Sequence, residues 1–346
     1  MNYTAPELRQ IPLRHEIYRN SVRDLLSKNG LTYDTALECY IGVYMDGQLM
    51  GGAGYSGKII QCVAIDESLR GLGVTNTLIS ELLRRIYENG HSNAMLFTKP
   101  GNQALFEGAG LRLVESSDTA MLMETDPKAF ANYLGSLSGA KESGFSASIV
   151  MNCNPFTLGH QYLIEYAAGH CDTLHIFLVQ EDKSVFPFRQ RLELLQKGTS
   201  HLGNVRVHPG GSYIISSATF PTYFIKSADE AIKSQAELDL RIFARHIAEA
   251  LNIKKRFVGE EPYCPVTSVY NQIMERTLPP MGIEVEIVPR KELDREAISA
   301  SLVRELINKG RLEKTRGLLP DSTYDFLHSE EAAPIIERIK SGIGRH

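Results

Sequence analysis

Several things are scarce or missing in this sequence. There are 5 cysteines (Cys39, Cys62, Cys153, Cys171 and Cys264), an odd number with no Cys-x-x-Cys spacing. That pattern excludes a disulfide framework and a zinc ribbon and points to reduced thiols. The 10 histidines are scattered without metal-ligand spacing. No apolar run approaches the ~20 residues of a membrane span. The opening stretch, MNYTAPELRQIPLRHE, lacks the apolar segment of a secretion signal. A net charge of −4 supplies no basic field for nucleic acid. The expectation is a cytoplasmic protein that engages neither nucleic acid nor membrane.

What is present is an ordinary globular composition, 43% hydrophobic and 23% charged, over 346 residues. That length favours two domains, each with its own core. The stretch 135–144, GSLSGAKESG, is small and polar and reads as a linker between a domain at 1–134 and another at 145–346. In the first half, 62–65 reads as a short buried strand. Leu78, Ile79, Leu82, Leu83 and Ile86 then recur at helical spacing up to Gly90. A strand at 94–98 and a helix at 103–108 follow.

The second half alternates. Apolar β-like runs at 147–151, 173–179, 205–208, 256–258 and 285–288 are separated by helical patterns at 158–169, 188–197, 238–251, 266–274 and 299–308. Strand–helix alternation of this kind makes a parallel, doubly wound α/β sheet covered on both faces. Such sheets bind ligands beyond the carboxyl ends of their strands, where the strand order reverses.

Two stretches at strand–helix junctions carry chemistry. The first is NPFTLGHQYLIE, 154–165. A helix start presents unpaired N–H groups and a partial positive charge, which together attract phosphate. Thr157 is placed to cap the helix or offer a hydroxyl. Gly159, having no side chain, can admit a phosphate close to the backbone. His160 on the first turn can donate a hydrogen bond to a phosphoryl oxygen as charge builds. The second stretch is AISASLVRELI, 297–307, after the last expected strand. Ser299 reads as the cap, Ser301 as a first-turn hydroxyl and Arg304 as a guanidinium suited to phosphate oxygens. Each motif alone is also compatible with a plain capped helix. Their order at the first and last junctions of one α/β domain is what favours a shared site.

The pair TxGH (Thr157, Gly159, His160) and ISxSxxR (Ile298, Ser299, Ser301, Arg304) resembles the nucleotidyltransferase superfamily, with its (H/T)xGH and ISxxxxR motifs. With NCNPFTLGHQYLIE, VQEDKSVFPFRQR, SYIISSATFPTYF and FVGEEPYCPVTSVYN, the chain is similar to the citrate lyase ligase family. The resemblance implies a Rossmann-like adenylating domain that uses ATP with Mg2+. Acetate would attack the α-phosphorus to give acetyl-adenylate and pyrophosphate. The thiol of the phosphoribosyl-dephospho-CoA group on the acyl carrier subunit of citrate lyase would then take the acetyl group and release AMP. His160 and Arg304 would stabilise phosphate charge, with Lys183 reaching a phosphate or the acetate. Thr157, Gly159, Ser299 and Ser301 would complete the nucleotide site, with Gly259 near adenine. Glu260 and Glu261 would face a metal or ribose, or form a solvated loop. No metal ligand is assigned. Ser216, Thr219 and Tyr223 would shape the acetate or thiol pocket.

The first domain has LRGLGVTNT, 69–77, which resembles the acyl-CoA loop (Q/R)xxGx(G/A) of the GCN5-related acetyltransferases, an α+β fold. Arg70, Gly71 and Gly73 are the candidate residues for an acyl-CoA or prosthetic-group pyrophosphate, and Thr75 replaces the last small residue. Two other functions stay open at this point. One is nucleotidyl transfer to a phosphorylated coenzyme precursor, the other an N-acetyltransferase whose second domain senses nucleotide.

Overall fold

A computed structural model describes residues 5–69, 71–180, 184–215, 228–261, 265–293 and 296–342; within these, the side chains of 228–232, 265–266 and 296 are not described. The described chain divides into two compact units. The first contains 5–133 and the helix ending at Ile242; the second contains 134–215 and the chain from Phe243 onward.

The first unit is α+β, built on a mixed sheet. Its strands are β1 (Glu7–Gln10), β2 (Cys39–Met45), β3 (Gln48–Ser56), β4 (Ile59–Ile65), β5 (Met95–Thr98), β6 (Arg112–Ser116) and β7 (Met121–Glu124), in the order β1-β2-β3-β4-β5-β7-β6. All neighbours are antiparallel except β4 and β5, which pair in parallel at Ile59–Met95 and Ile60–Leu96. The β2–β3 hairpin closes through Asp46 and Gly47, both at positive φ, as a two-residue turn that follows the strand twist requires. Helices α1 (Glu16–Lys28), α2 (Val74–Glu88), α3 (Gln103–Gly108) and α4 (Ala129–Ser138) accompany the sheet. The expected apolar stripe of α2 is its buried face: Leu78, Ile79, Leu82 and Ile86 pack with Ile41, Val43, Leu96 and Met123.

Two boundaries differ from the sequence expectation. Helix α4 runs on through Ser138, so the stretch 135–144 begins as a helical turn. Leu137 is buried there, and the Ser138 hydroxyl donates to the Gly135 carbonyl. Helix α5, Ala228–Ile242, groups with the first unit although it lies late in the chain. Its Arg241 donates to the Ser116 carbonyl and pairs with Asp118 at 3.2 Å.

The second unit holds five parallel strands: β8 (Ser146–Met151), β9 (Thr173–Leu178), β10 (Val205–Pro209), β11 (Ile253–Gly259) and β12 (Glu284–Val288), in the order β10-β9-β8-β11-β12. Strand β8 is central, and the chain leaves it first towards β9 and later towards β11. The order therefore reverses at β8, and the crevice lies outside its carboxyl end. The chain there runs into a helix over Leu158–Ala168, and a second helix spans Phe188–Thr199. Ala147, Ile149 and Met151 of β8 pack with Ile164, Ala167, Leu174, Ile176 and Leu194. Burial on both faces explains why these strands read as apolar runs. The expected helix over 238–251 is helical, but Phe243–Ile247 is wound as a π-helix.

Behind β8, Phe156 is fully buried, and its ring lies against Gly198 of the Phe188–Thr199 helix. A Cβ at Gly198 would come within 2.2 Å of that ring. Replacing Gly198 by alanine must therefore move a buried aromatic or bend the helix, an overpacking cost of about 1–3 kcal/mol. Chemical denaturation of Gly198→Ala should show a loss of that size with an unchanged denaturant slope. Wild-type stability would contradict this packing.

Candidate functional site

The site is built where β8 ends. Thr157 is in extended conformation and caps the Leu158–Ala168 helix, its Oγ1 accepting the His160 backbone N–H at 3.4 Å. The His160 side chain folds back, and its Nδ1 accepts the Thr157 backbone N–H at 3.1 Å. A backbone N–H can only donate, so Nδ1 bears the lone pair and Nε2 carries the proton. The Thr157 hydroxyl, 2.9 Å from Nδ1, then donates to it as well. The imidazole also stacks on Phe156, with ring centroids 5.9 Å apart. Burial first, and the Arg290 guanidinium second, push the His160 pKa down to about 4. At neutral pH this histidine is an uncharged, fixed Nε2–H donor.

The second motif meets the first directly. Helix Ala300–Asn308 is capped by Ser299, whose hydroxyl oxygen accepts the Leu302 N–H at 3.1 Å. A Cβ on Gly159 would stand 2.7 Å from the Ile298 carbonyl oxygen. Glycine is needed there so that the backbone preceding one helix can touch the start of the other. Arg304 then reaches across, donating to the Asn154 carbonyl, while its other terminal nitrogen donates to Ser301 Oγ at 3.2 Å. Among the described residues no carboxylate pairs with Arg304. Burial lowers its pKa from the usual guanidinium value, and no partner charge opposes that.

Three buried or half-buried groups that the sequence reading passed over hold this arrangement. Asn154 is buried, and its Oδ1 accepts the Phe186 N–H at 3.0 Å. Arg191 is fully buried and donates to the carbonyls of Phe186 (2.9 Å), Asn152 (2.9 Å) and Val179 (2.7 Å), tying together the loops that leave β8 and β9. Arg290, just past β12, donates to the Glu260 carbonyl at 2.6 Å and pairs with Glu261. Glu261 is thus committed to an ion pair. Only Arg290 had a legible signal, a cation shortly after the last strand of the sheet.

The remaining expected residues divide. Gly259 ends β11, and its carbonyl accepts from Asn271 at 3.3 Å. Gly71 and Gly73 both have positive φ (79° and 74°) and lead into α2 of the first unit. Lys183 and Arg70 lie outside the described residues, as do Ser216, Thr219 and Tyr223. Thr157 caps the helix, one of the two parts expected of it, and its hydroxyl also donates to His160 Nδ1. Gly159, expected to admit a phosphate, also makes room for the Ile298 carbonyl.

Residues 146–327 match the family model for the citrate lyase ligase C-terminal domain. The chain is 39% identical over 321 residues to a Klebsiella pneumoniae citrate (pro-3S)-lyase ligase, covering 91% of this chain and 94% of that protein. The chain belongs to the citrate lyase ligase family. The Escherichia coli K12 ligase of the same name is 42% identical over 315 residues, covering 89% of this chain and 90% of that one. The Haemophilus influenzae ligase is 38% identical over 314 residues, with coverages of 88% and 94%. As a citrate lyase ligase the chain is an enzyme, and its matched domain contains both motifs. No helix among the described residues is long and apolar enough to cross a membrane.

His160, and the buried pair His175 and His208, are all held to about 4, mainly by burial. An unfolded histidine titrates near ~6.5, so the unfolded chain binds more protons between those values. Stability from these groups is complete above ~6.5 and is lost as pH falls towards 4. Imidazole NMR should show His160 as the Nε2–H tautomer with none of the three titrating from pH 8 to 5.5. A midpoint near 6.5 for any of them would contradict the structure.

Proposed function

We propose that the second unit forms acetyl-adenylate from acetate and ATP, and that the acetyl group passes to the carrier thiol of citrate lyase, activating it. The observation that carries this reading is the contact between the two motifs. It sets a neutral imidazole donor, an unneutralised guanidinium and two helix starts around one crevice.

The chemistry follows from those groups. The triphosphate would lie against the starts of the Leu158–Ala168 and Ala300–Asn308 helices, where N–H groups and partial positive charge favour it. Arg304, already desolvated, would meet the β- and γ-phosphates. His160 Nε2–H would donate to an α-phosphoryl oxygen as the acetate oxygen attacks and pyrophosphate leaves. Being neutral, the imidazole cannot act as a cationic clamp; its contribution is a directed hydrogen bond. Ser301 keeps its hydroxyl hydrogen for a phosphate oxygen while accepting from Arg304. Arg290 lies close enough to depress the His160 pKa, but its ion pair with Glu261 offsets most of its charge. No enzyme nucleophile is needed, because acetate itself attacks and the carrier thiolate completes the transfer.

Magnesium would have to be carried mainly by the nucleotide's own phosphates. Among the described residues no three His, Cys, Asp or Glu side chains converge to cage an ion, so no step is routed through one. In the first unit, the Gly71–Gly73 turn before α2 would receive the pyrophosphate of the CoA-like prosthetic group.

His160→Ala and Arg304→Ala should each lower the rate of pyrophosphate release from acetate and ATP by roughly 10²–10³-fold, as loss of one charge-stabilising donor does. Wild-type rates in both folded variants would overturn the assignment.

A further inference from the structure

The face of the second sheet opposite the Leu158–Ala168 helix carries an unexplained charge. Side chains alternate along a strand. Since Ala147, Ile149 and Met151 face that helix, Ser146 and Ser148 face the other way. Ser148 is in register with His175 of β9 on one side and with Arg256 of β11 on the other. The three therefore form one row across the middle of the sheet, neighbours ~4.8 Å apart.

Every member of this row is buried: Arg256 is 2% exposed, and Ser146, Ser148 and His175 are 0% exposed. Arg256 Nη2 makes one long hydrogen bond to Tyr270 Oη at 3.4 Å, and the guanidinium lies 4.6 Å from the Phe243 ring centroid. No carboxylate among the described residues pairs with it. Arg256 Nη1, the hydroxyls of Ser146 and Ser148, and His175 Nε2 are all buried without a hydrogen-bonding partner in the protein. His175 Nδ1 is engaged by His208 Nε2 at 3.0 Å. When His208 is the donor, His175 Nε2 carries a proton that no protein acceptor takes up.

A guanidinium cannot discharge by losing its proton, and a buried charge left uncompensated is strongly destabilising. Water alone would satisfy the hydrogen bonds but leave that charge. Four unpartnered groups that can each donate, on one face of neighbouring strands beside one fixed positive charge, match a compact singly charged anion. We propose that Arg256, Ser148 and His175, flanked by Ser146, form a buried binding site for such an anion, a halide or a short carboxylate. It lies about 10 Å back from the end of β8, three residues before Met151. It is separate from the crevice that Arg304 and His160 line.

The test uses the full chain in a fixed ionic strength maintained with a bulky organic sulfonate. Sodium bromide or sodium acetate replaces that salt stepwise while the thermal unfolding temperature is followed. The expected result is a saturable rise of about 2–4 °C with at least one of the two anions. Bromide alone or acetate alone identifies which of the two sources is preferred. The rise should persist in Arg304→Ala, which alters the crevice, and vanish in Arg256→Met. Should Arg256→Met not fold, Ser148→Ala should raise the anion concentration needed for half the effect about tenfold. A crystal grown in bromide should show anomalous density among Arg256, Ser148 and His175. Ordered water alone at that place, with unfolding temperatures indifferent to anion identity, would overturn the proposal.

Discussion

The contact between Gly159 and the Ile298 carbonyl, reinforced by Arg304 reaching the Asn154 carbonyl, brings together segments nearly half the chain apart. Any side chain at 159 would push the two helix starts away from each other. With glycine there, the loop leaving β8 and the loop entering the Ala300–Asn308 helix share one wall of the crevice. The cost of closing them is a guanidinium partly removed from water with only neutral acceptors. That imbalance would favour an anion beside Arg304.

Magnitudes rank the contributions. A helix start adds about 0.3–1 kcal/mol for a nearby negative charge. Removing one directed donor at a charge-developing atom costs about 2.7–4 kcal/mol. On the proposed function, the two helix starts would locate the triphosphate, while His160 and Arg304 would carry most of the transition-state stabilisation. This division explains the tight local hydrogen bonding of His160. A donor is effective only if its direction is fixed beforehand, and the Thr157 backbone and hydroxyl both fix Nδ1, leaving Nε2–H as the free donor of the ring. Burial serves the same end by keeping the ring neutral and in one tautomer.

Much of this was legible in the sequence because it is local. Apolar runs between helical patterns marked the parallel sheet, and Thr157 and Ser299 marked helix starts through capping chemistry. The citrate lyase ligase resemblance rested on the same segments that the family model covers. What was not legible depends on contacts distant in the chain. Gly159 was read as space for phosphate, since nothing nearby announces the Ile298 carbonyl. Gly198 looks like any helical glycine until Phe156 is found against it. Arg191 lies in a helix and reads as a surface residue, yet it is buried because it collects three carbonyls from the two loops that leave β8 and β9. The stretch 135–144 looked unstructured from its small, polar residues, but burial of Leu137 outweighed low propensity and carried α4 through Ser138.

A structure of the full chain with a non-hydrolysable ATP analogue is the most direct test of a nucleotide site shared by the two motifs. The triphosphate should lie between the two helix starts, with His160 Nε2 in hydrogen-bonding reach of an α-phosphate oxygen and Arg304 on the β- or γ-phosphate. A nucleotide bound elsewhere, or touching one motif and leaving the other free, would contradict it.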